Sequence, residues 1–255
     1  MRERDMQKNI LIAGVGGQGI LSVAYVICSA ALDEGLNFKQ AEVHGMAQRG
    51  GAVQSNLRIS SEPIHSDLIA KGTCDLLLSV EPLEALRYIE YLSPSGTIVT
   101  SINPFVNIPN YPTMDAIWEE ADKVDSVIPI DADSIAKQAG NALSANMVML
   151  GAGSFVLPLK TDGLEKWVAD LWSAKGEKVV GMNVKAFHAG RKMAEFLFAS
   201  KKAGADHSML RALTASVPYE NADPARAREW VDLLKSSDIN DWSNVIKNKF
   251  STVGK

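Results

Sequence analysis

Cysteine is nearly absent from this sequence, and the scarcity excludes several kinds of protein. The 255 residues include only Cys28 and Cys74, whereas an ordinary iron–sulfur cluster is held by four thiolates. Two cysteines also provide no disulfide framework, so a protein of a reducing compartment is indicated. Both lie in apolar stretches, which predicts buried thiols that behave as small hydrophobic side chains.

The sequence also lacks an apolar run long enough to cross a bilayer. The longest, Ile20–Leu32, has 13 residues and includes two serines, whereas a spanning helix needs about 20. Met1–Lys8 is charged and leads into a short apolar stretch unlike the hydrophobic region of a signal peptide. These absences predict a soluble, cytoplasmic protein that does not contact membranes.

Positive charge is in slight deficit, with 26 basic against 30 acidic residues and a formal net charge of -4. This balance gives no general attraction to nucleic acid. Histidine is scarce too, and His44 has no second histidine at metal-ligand spacing, so no metal site is predicted. Hydrophobic residues make up 46% of the chain, which is enough for a sizeable core.

Short apolar segments alternate with segments of helical length along most of the chain. This alternation predicts an α/β fold with a doubly wound, mostly parallel, Rossmann-like sheet. Asn9–Ala13 is apolar throughout, as expected of a central strand buried on both faces. After residue 200 the sequence becomes polar and then has the pattern of short helices, so we predict a domain at 1–199 and a C-terminal helical extension at 200–255. The predicted strands are Asn9–Ala13, Asn37–Val43, Val53–Ile59, Cys74–Val80, Gly96–Ser101 and Ser126–Ile130.

A glycine-rich turn follows the first predicted strand and opens a predicted helix. Residues 14–19 are Gly-Val-Gly-Gly-Gln-Gly, which matches G-x-G-x-x-G in the required context. Glycines allow a tight turn, and a helix N-terminus offers N–H groups to a phosphate. The motif alone is equally compatible with a tight structural turn. Glu42 lies near the position of a ribose-binding acid, but it can equally be solvated or pair with Arg49.

A second glycine segment spans Glu42–Gly51 and concentrates His44, Gln48 and Arg49 with three glycines. An arginine beside flexible backbone can bind an oxyanion through two hydrogen bonds, and a histidine can move a proton near neutral pH. The alternative is a surface loop whose arginine is solvated or pairs with a neighbouring acid. Because the loops at the carboxyl ends of parallel strands gather at one edge, the two segments should lie side by side.

The two segments together resemble the gamma-type domain of the 2-oxoacid:ferredoxin oxidoreductases. The form of residues 44–51, His-Gly-Met-Ala-Gln-Arg-Gly-Gly, is similar to the indolepyruvate branch of that family. The resemblance covers roughly residues 8–195, and the segment after about residue 200 lies outside it. Further residues that carry it are Ile64-His65-Ser66, Cys74–Leu78, Glu81–Ala85, Tyr91-Leu92, Asn146–Gly151, Asn183, Ala186, Phe187 and Gly190.

The resemblance implies a division of labour between chains. Thiamine diphosphate, magnesium and [4Fe–4S] clusters are expected in a larger partner subunit, with coenzyme A as co-substrate and ferredoxin as electron acceptor through the complex. This chain has no Gly-Asp-Gly followed by Asn-Asn, the usual thiamine diphosphate pattern, so no cofactor is expected in it and no catalytic residue is assigned. The candidate ligand- or interface-binding residues are Gly14, Gly16, Gly17, Gln18, Gly19, His44, Gln48, Arg49, Gly50 and Gly51.

Two other functions remain open from the residues alone. The glycine turn would also suit a stand-alone Rossmann-like oxidoreductase that binds NAD or FAD. A non-catalytic binding protein of the same fold is the second alternative. A neighbouring gene with thiamine and iron–sulfur motifs would favour the ferredoxin-dependent complex over both.

Overall fold

A single six-stranded sheet is the centre of the part of the chain that the structure describes. The computed structural model describes residues 6–44 and 50–251, with only the backbone of His44 and Ser251. The order across the sheet is β2-β3-β1-β4-β5-β6. The strands are β1 (Gln7–Val15), β2 (Asn37–His44), β3 (Ala52–Ser60), β4 (Cys74–Ser79), β5 (Leu92–Ser101) and β6 (Val127–Ile130).

One strand of the six is antiparallel to the other five. β1, β4, β5 and β6 are parallel neighbours, whereas β3 is antiparallel to both β1 and β2. The connection 45–51 between β2 and β3 is shorter than the dozen or so residues that a parallel crossover needs, so the pair forms a hairpin. The prediction of a mostly parallel sheet, with Asn9–Ala13 in an inner strand, is confirmed.

The described residues also form ten α-helices, none of which is long and apolar enough to cross a membrane. They are α1 (Ile20–Asp33), α2 (Pro82–Arg87), α3 (Met114–Ala121), α4 (Ala132–Ala139), α5 (Ala145–Ser154), α6 (Thr161–Trp172), α7 (Glu177–Lys202), α8 (His207–Ser216), α9 (Ala227–Lys235) and α10 (Trp242–Ser251).

The sheet separates two apolar clusters of unequal size. Because side chains alternate along a strand, Ile10 and Ile12 of β1 enter the larger cluster, and Leu11 and Ala13 enter the smaller. The larger cluster packs α1, α5 and α7 against the sheet, and the smaller one packs α2. Helices on both faces are the property that defines a doubly wound fold.

Two glycines bring α5 and α7 into backbone contact. A Cβ atom at Gly151 would lie 1.8 Å from the carbonyl oxygen of Phe187, and one at Gly190 would lie 1.9 Å from that of Val148. No side chain fits at either position, so the two helices pack at close range. This contact fixes the start of α5 near the carboxyl ends of the parallel strands.

The C-terminal helices α8, α9 and α10 continue the larger cluster beyond α7. Trp230 and Ile246 are fully buried in it, which confirms a helical extension. Helix α7 runs without a break through residue 199, where the sequence analysis places the end of the first domain. The division into 1–199 and 200–255 stays a prediction.

Candidate functional site

The glycine turn between β1 and α1 is held in shape by Gln18. Its side-chain oxygen accepts a hydrogen bond from Val15 N at 2.7 Å, and its own N–H donates to the Val15 carbonyl at 3.0 Å. Gly17 and Gly19 have φ values of 102° and 79°, a region that side chains disfavour. At Gly19 a Cβ would also lie 2.3 Å from Asn146 Nδ2. Both positions therefore require glycine.

The turn presents unused backbone donors. The N–H groups of Gly17, Gly19 and Ile20 donate to no acceptor within residues 6–44 and 50–251, and no side chain caps the start of α1. Orphan N–H groups at a helix start, together with the positive end of its dipole, favour an anion.

The described end of the second glycine segment, Gly50 and Gly51, lies directly against the first. Gly16 N donates to the carbonyl of Gly51 at 2.8 Å, and Gly50 N donates to the carbonyl of Gly16 at 3.3 Å. The antiparallel direction of β3 causes this contact, because the strand begins beside the carboxyl end of β1, with Ala52 opposite Val15. Gly50 and Gly51 are therefore beside the glycine turn, as the sequence predicts for their segment.

The polar residues of the second segment fall largely outside the described residues. Gln48 and Arg49 belong to the undescribed stretch 45–49, and of His44 the structure gives only a backbone position at the end of β2, opposite Val53. Their roles in binding a ligand or a partner stay predictions, as do those of the glycines.

A cleft of about 420 Å³ opens beside the glycine turn. The starts of α1, α4 and α5 meet there; α1 and α4 begin at this edge because each follows a parallel strand. Within the described part of the chain, the lining contains no lysine or arginine and one carboxylate, that of Asp133, so attraction for an anion would have to come from helix starts and N–H groups. The lining residues are Gly17, Gln18, Gly19, Ser22, Val80, Ser101, Asn103, Pro104, Phe105, Ala132, Asp133, Leu143, Ala145, Asn146 and Trp172.

Asn103 and Asn146 organise two walls of this cleft. Asn103 Nδ2 donates to the carboxylate of Asp131 at 3.0 Å, and its side-chain oxygen accepts from Asp133 N at 3.0 Å. The start of α4 is thereby tied to the end of β5. Asn146 Nδ2 points to the Gly19 carbonyl at 3.5 Å, which sets the start of α5 against the glycine turn.

Sequence reasoning finds the glycine wall of the cleft and misses the opposite wall. Residues 103–113 are predicted as a loop because of their prolines, but nothing in that pattern marks Asn103 or Phe105 as cleft residues. Asn146 belongs to the resemblance without a role attached. Leu143 and Trp172 have no sequence signal, since their position depends on how helices pack. A useful rule would be to search the loops after every parallel strand, because they share one edge.

With this geometry in place, the comparisons with known proteins identify the class. Residues 9–193 match the family described as Pyruvate ferredoxin/flavodoxin oxidoreductase, and the chain belongs to that family. A relative from Archaeoglobus fulgidus, named indolepyruvate oxidoreductase subunit IorB, is 35% identical over 198 residues, which cover 74% of this chain and 96% of the relative. The family and branch predicted from sequence are confirmed.

Two solved structures share the fold. One is the gamma subunit of a keto/oxoacid ferredoxin oxidoreductase from Geobacter sulfurreducens, with a TM-score of 0.53 and 26% identity over 73% of this chain and 98% of that one. The other is a 2-oxoglutarate:ferredoxin oxidoreductase from Magnetococcus marinus with 2-oxoglutarate, coenzyme A and succinyl-CoA bound. Its TM-score is 0.61 at 24% identity, and the match covers 76% of this chain and 32% of that one.

Proposed function

We propose that this chain is the smaller subunit of an indolepyruvate-type 2-oxoacid:ferredoxin oxidoreductase and does not catalyse alone. In the complete complex, an arylpyruvate and coenzyme A give an arylacetyl-CoA and carbon dioxide, and two electrons pass singly to two ferredoxins. The observation that carries the proposal is the family match over residues 9–193, and the cleft beside the glycine turn inside the matched part supports it.

The contribution of this chain is to hold the phosphate groups of coenzyme A. Gly17, Gly19 and Ile20 have N–H groups with no acceptor among the described residues. The starts of α1 and α5 favour negative charge, whereas the start of α4 already carries the carboxylates of Asp131 and Asp133. Arg49 is adjacent in sequence to Gly50, which contacts the glycine turn, so it is the candidate for a bidentate contact to a phosphate or to a partner carboxylate.

The redox groups belong to the partner subunit, because the cysteines of this chain do not fit a cluster. Cys28 and Cys74 are buried in the larger and the smaller apolar cluster respectively, on opposite sides of the sheet. Burial raises the pKa of each thiol to about 12, so neither is a thiolate near neutral pH. We assign thiamine diphosphate, magnesium and [4Fe–4S] clusters to the large partner, and the complex to the cytoplasm.

The sheet order argues against a stand-alone dinucleotide enzyme. In such enzymes the ribose-binding acid ends the strand beside β1. Here Glu42 lies on β2, and the whole of β3 separates β2 from β1. The acid is therefore one strand too far from the glycine turn, and we expect no micromolar binding of NAD or FAD.

The decisive experiment is co-expression with the large subunit encoded beside this gene. The complex should reduce ferredoxin when given indolepyruvate and coenzyme A, and it should prefer indolepyruvate to pyruvate and 2-oxoglutarate. The isolated chain should be colourless and inactive. An iron–sulfur absorption band or turnover by this chain alone would contradict the proposal, and calorimetric NAD binding would favour the dinucleotide alternative.

The Arg49 assignment has its own test in the same complex. Arg49→Lys keeps the charge but loses the planar pair of donors, so a bidentate contact should weaken by about 1–3 kcal/mol. Assembly and turnover are measured separately for Arg49→Lys and Arg49→Ala. Normal values of both would show that Arg49 contributes to neither assembly nor catalysis.

A further inference from the structure

Glu81 is a buried carboxylate at the carboxyl edge of the sheet, one strand from the glycine turn. It follows β4, caps the start of α2 and is 1% exposed. One of its oxygens, Oε2, accepts a hydrogen bond from Glu84 N at 2.9 Å. That bond is an ordinary helix cap. The other oxygen, Oε1, is available to accept hydrogen bonds from outside α2.

Oε1 of Glu81 accepts hydrogen bonds from two residues of the segment that follows β5. It accepts a hydrogen bond from Phe105 N at 3.3 Å and a short one from the hydroxyl of Tyr111. Burial, and then this hydrogen bond, raise the pKa of Tyr111, so the phenol keeps its proton and remains a donor. We call residues 103–111 the strap, because 105 and 111 close on one oxygen.

The strap has no apolar anchor of its own. None of residues 104–112 is buried, and Phe105, Val106 and Ile108 are exposed apolar side chains. A loop without buried side chains is held by its hydrogen bonds. Within the described residues no cation pairs with Glu81, so the donors of the strap and of α2 stabilise its buried charge.

The tip of the strap reaches the second glycine segment. Asn107 Nδ2 donates to the carbonyl of Gly50 at 2.7 Å, and Gly50 N in turn donates to Gly16. The strap also supplies one wall of the cleft through Asn103, Pro104 and Phe105. Hydrogen bonds at both ends of the strap therefore link Glu81, through the strap's own backbone and Gly50, to the glycine turn.

We propose that Glu81 is a positioning residue for the coenzyme A cleft, which sets the distance between the strap and the two glycine segments. This inference rests on the function proposed above. Glu81 touches no ligand in this scheme. It acts through Phe105 and Tyr111, and Asn107 transmits the position to Gly50.

The test compares Glu81→Gln and Tyr111→Phe with Glu84→Gln in the reconstituted complex. An amide in place of the carboxylate has one accepting oxygen, so at least one of three hydrogen bonds is lost. Tyr111→Phe leaves the carboxylate in place and removes only the hydroxyl, and with it the donor to Glu81 and a contact with the backbone of Leu83. Glu84 is the matched control, because it is equally buried on the same helix but bonds to Arg87 at 2.9 Å and not to the strap.

We expect the KM for coenzyme A to rise about tenfold in Glu81→Gln and less in Tyr111→Phe. The KM for indolepyruvate and the kcat at saturating coenzyme A should stay within about twofold. Hydrogen exchange of residues 105–111 should accelerate in both variants and not in Glu84→Gln.

An equal rise in KM for Glu84→Gln, or an unchanged KM with faster exchange of the strap, would overturn the positioning role. A loss of kcat without a change in KM would overturn it too. The unsubstituted complex provides the separate check. If its ferredoxin reduction does not depend on coenzyme A, the proposed function fails, and the ligand named here fails with it.

Discussion

The family-matched part of the chain and its C-terminal helices use polar residues in different ways. Among the described residues, all those that line the cleft fall within 9–193, and none comes from α8, α9 or α10. In the matched part, backbone donors at the glycine turn have no acceptor within 6–44 and 50–251. In the C-terminal helices, by contrast, polar groups serve caps and ion pairs.

Helix α8 illustrates this second use, because it covers the β6 edge of the sheet. Thr214 Oγ1 accepts a hydrogen bond from Asp131 N at 2.9 Å, and Arg211 holds Asp122 through two hydrogen bonds of 2.6 and 2.9 Å. An uncovered edge strand can pair with another chain. The comparison teaches that the C-terminal helices complete and stabilise the fold, whereas the described lining of the cleft comes from the matched part.

The largest effect is expected at Trp230, the fully buried centre of the C-terminal helices. Trp230→Ala should lower the free energy of unfolding by about 3–5 kcal/mol, because it leaves a large cavity in the shared cluster. Denaturant unfolding measures this loss, and Ile239→Ala, at a side chain that is 60% exposed, is the control. An early transition confined to 203–251 would show that the two regions do not share a core.

The next effect concerns the contact between α5 and α7. Gly151→Ala should cost about 3 kcal/mol, because its Cβ would lie 1.8 Å from a backbone oxygen of α7. Gly181→Ala is the matched control, since this helical glycine has no atom within 4 Å of an added Cβ. The control should be slightly more stable than the parent chain. Equal thermal unfolding of both variants would contradict the close packing.

A smaller effect on stability, with a specific effect on binding, is expected at Gly19. Its φ of 79° makes Gly19→Ala cost about 1–2 kcal/mol, and the added Cβ would displace Asn146 at the cleft. Gly140→Ala is the control, because Gly140 is also left-handed, with φ 106° and ψ 1°, does not line the cleft, and has room for a Cβ that would meet Met182 at 3.8 Å. Calorimetry with coenzyme A on the complex should therefore show weakened binding only for Gly19→Ala.

The smallest effect is a pH dependence in the C-terminal helices. Burial opposes ionisation of Asp206, but hydrogen bonds from Ser208 and Met209 outweigh it and lower its pKa below the usual 3.8. Its cap on α8 should therefore be at full strength above pH 3.8 and lost as the pH falls below it.

Asp206→Ala should cost about 1 kcal/mol at pH 7, and the difference from the parent chain should shrink below pH 3.8. Asp206→Asn keeps an N-cap acceptor and is the control. Urea unfolding at pH 7 and pH 3 compares the three chains. A difference that is the same at both pH values would exclude an ionised cap at α8.

The sequence predicts Asn9–Ala13 and Cys74–Val80 well because both runs are apolar and short. They are found within a residue or two of their ends in β1 and β4. Helix α6 has no counterpart in the prediction, although its apolar residues have the spacing of one helix face: Leu164, Trp167, Val168, Leu171 and Trp172. The apolar positions of Val184–Ala199 predict a helix there, and α7 starts earlier, at Glu177, where only Asn183 of the first seven residues is buried.

The candidate site is likewise predicted only in part from the sequence. Positions that need a positive φ carry glycine, so the turn at 14–19 is predicted from its glycines. No sequence pattern predicts the strap, because its position depends on Glu81, which is distant in sequence from Phe105 and Tyr111. The reversal of β3 is also invisible in an apolar pattern and follows only from the short connection before it.

The register of the reversed strand β3 on β1 sets the spacing of the two glycine segments. This register runs unbroken from Gln7 opposite Ser60 to Val15 opposite Ala52. A shift of one residue would turn Leu57 and Ile59 out of the core. The smallest tolerable change is therefore two residues, or about 7 Å. The distance between Gly16 and Gly51 can therefore change only in steps of that size, so evolution could vary the side chains near this contact freely but the spacing of the two segments only coarsely.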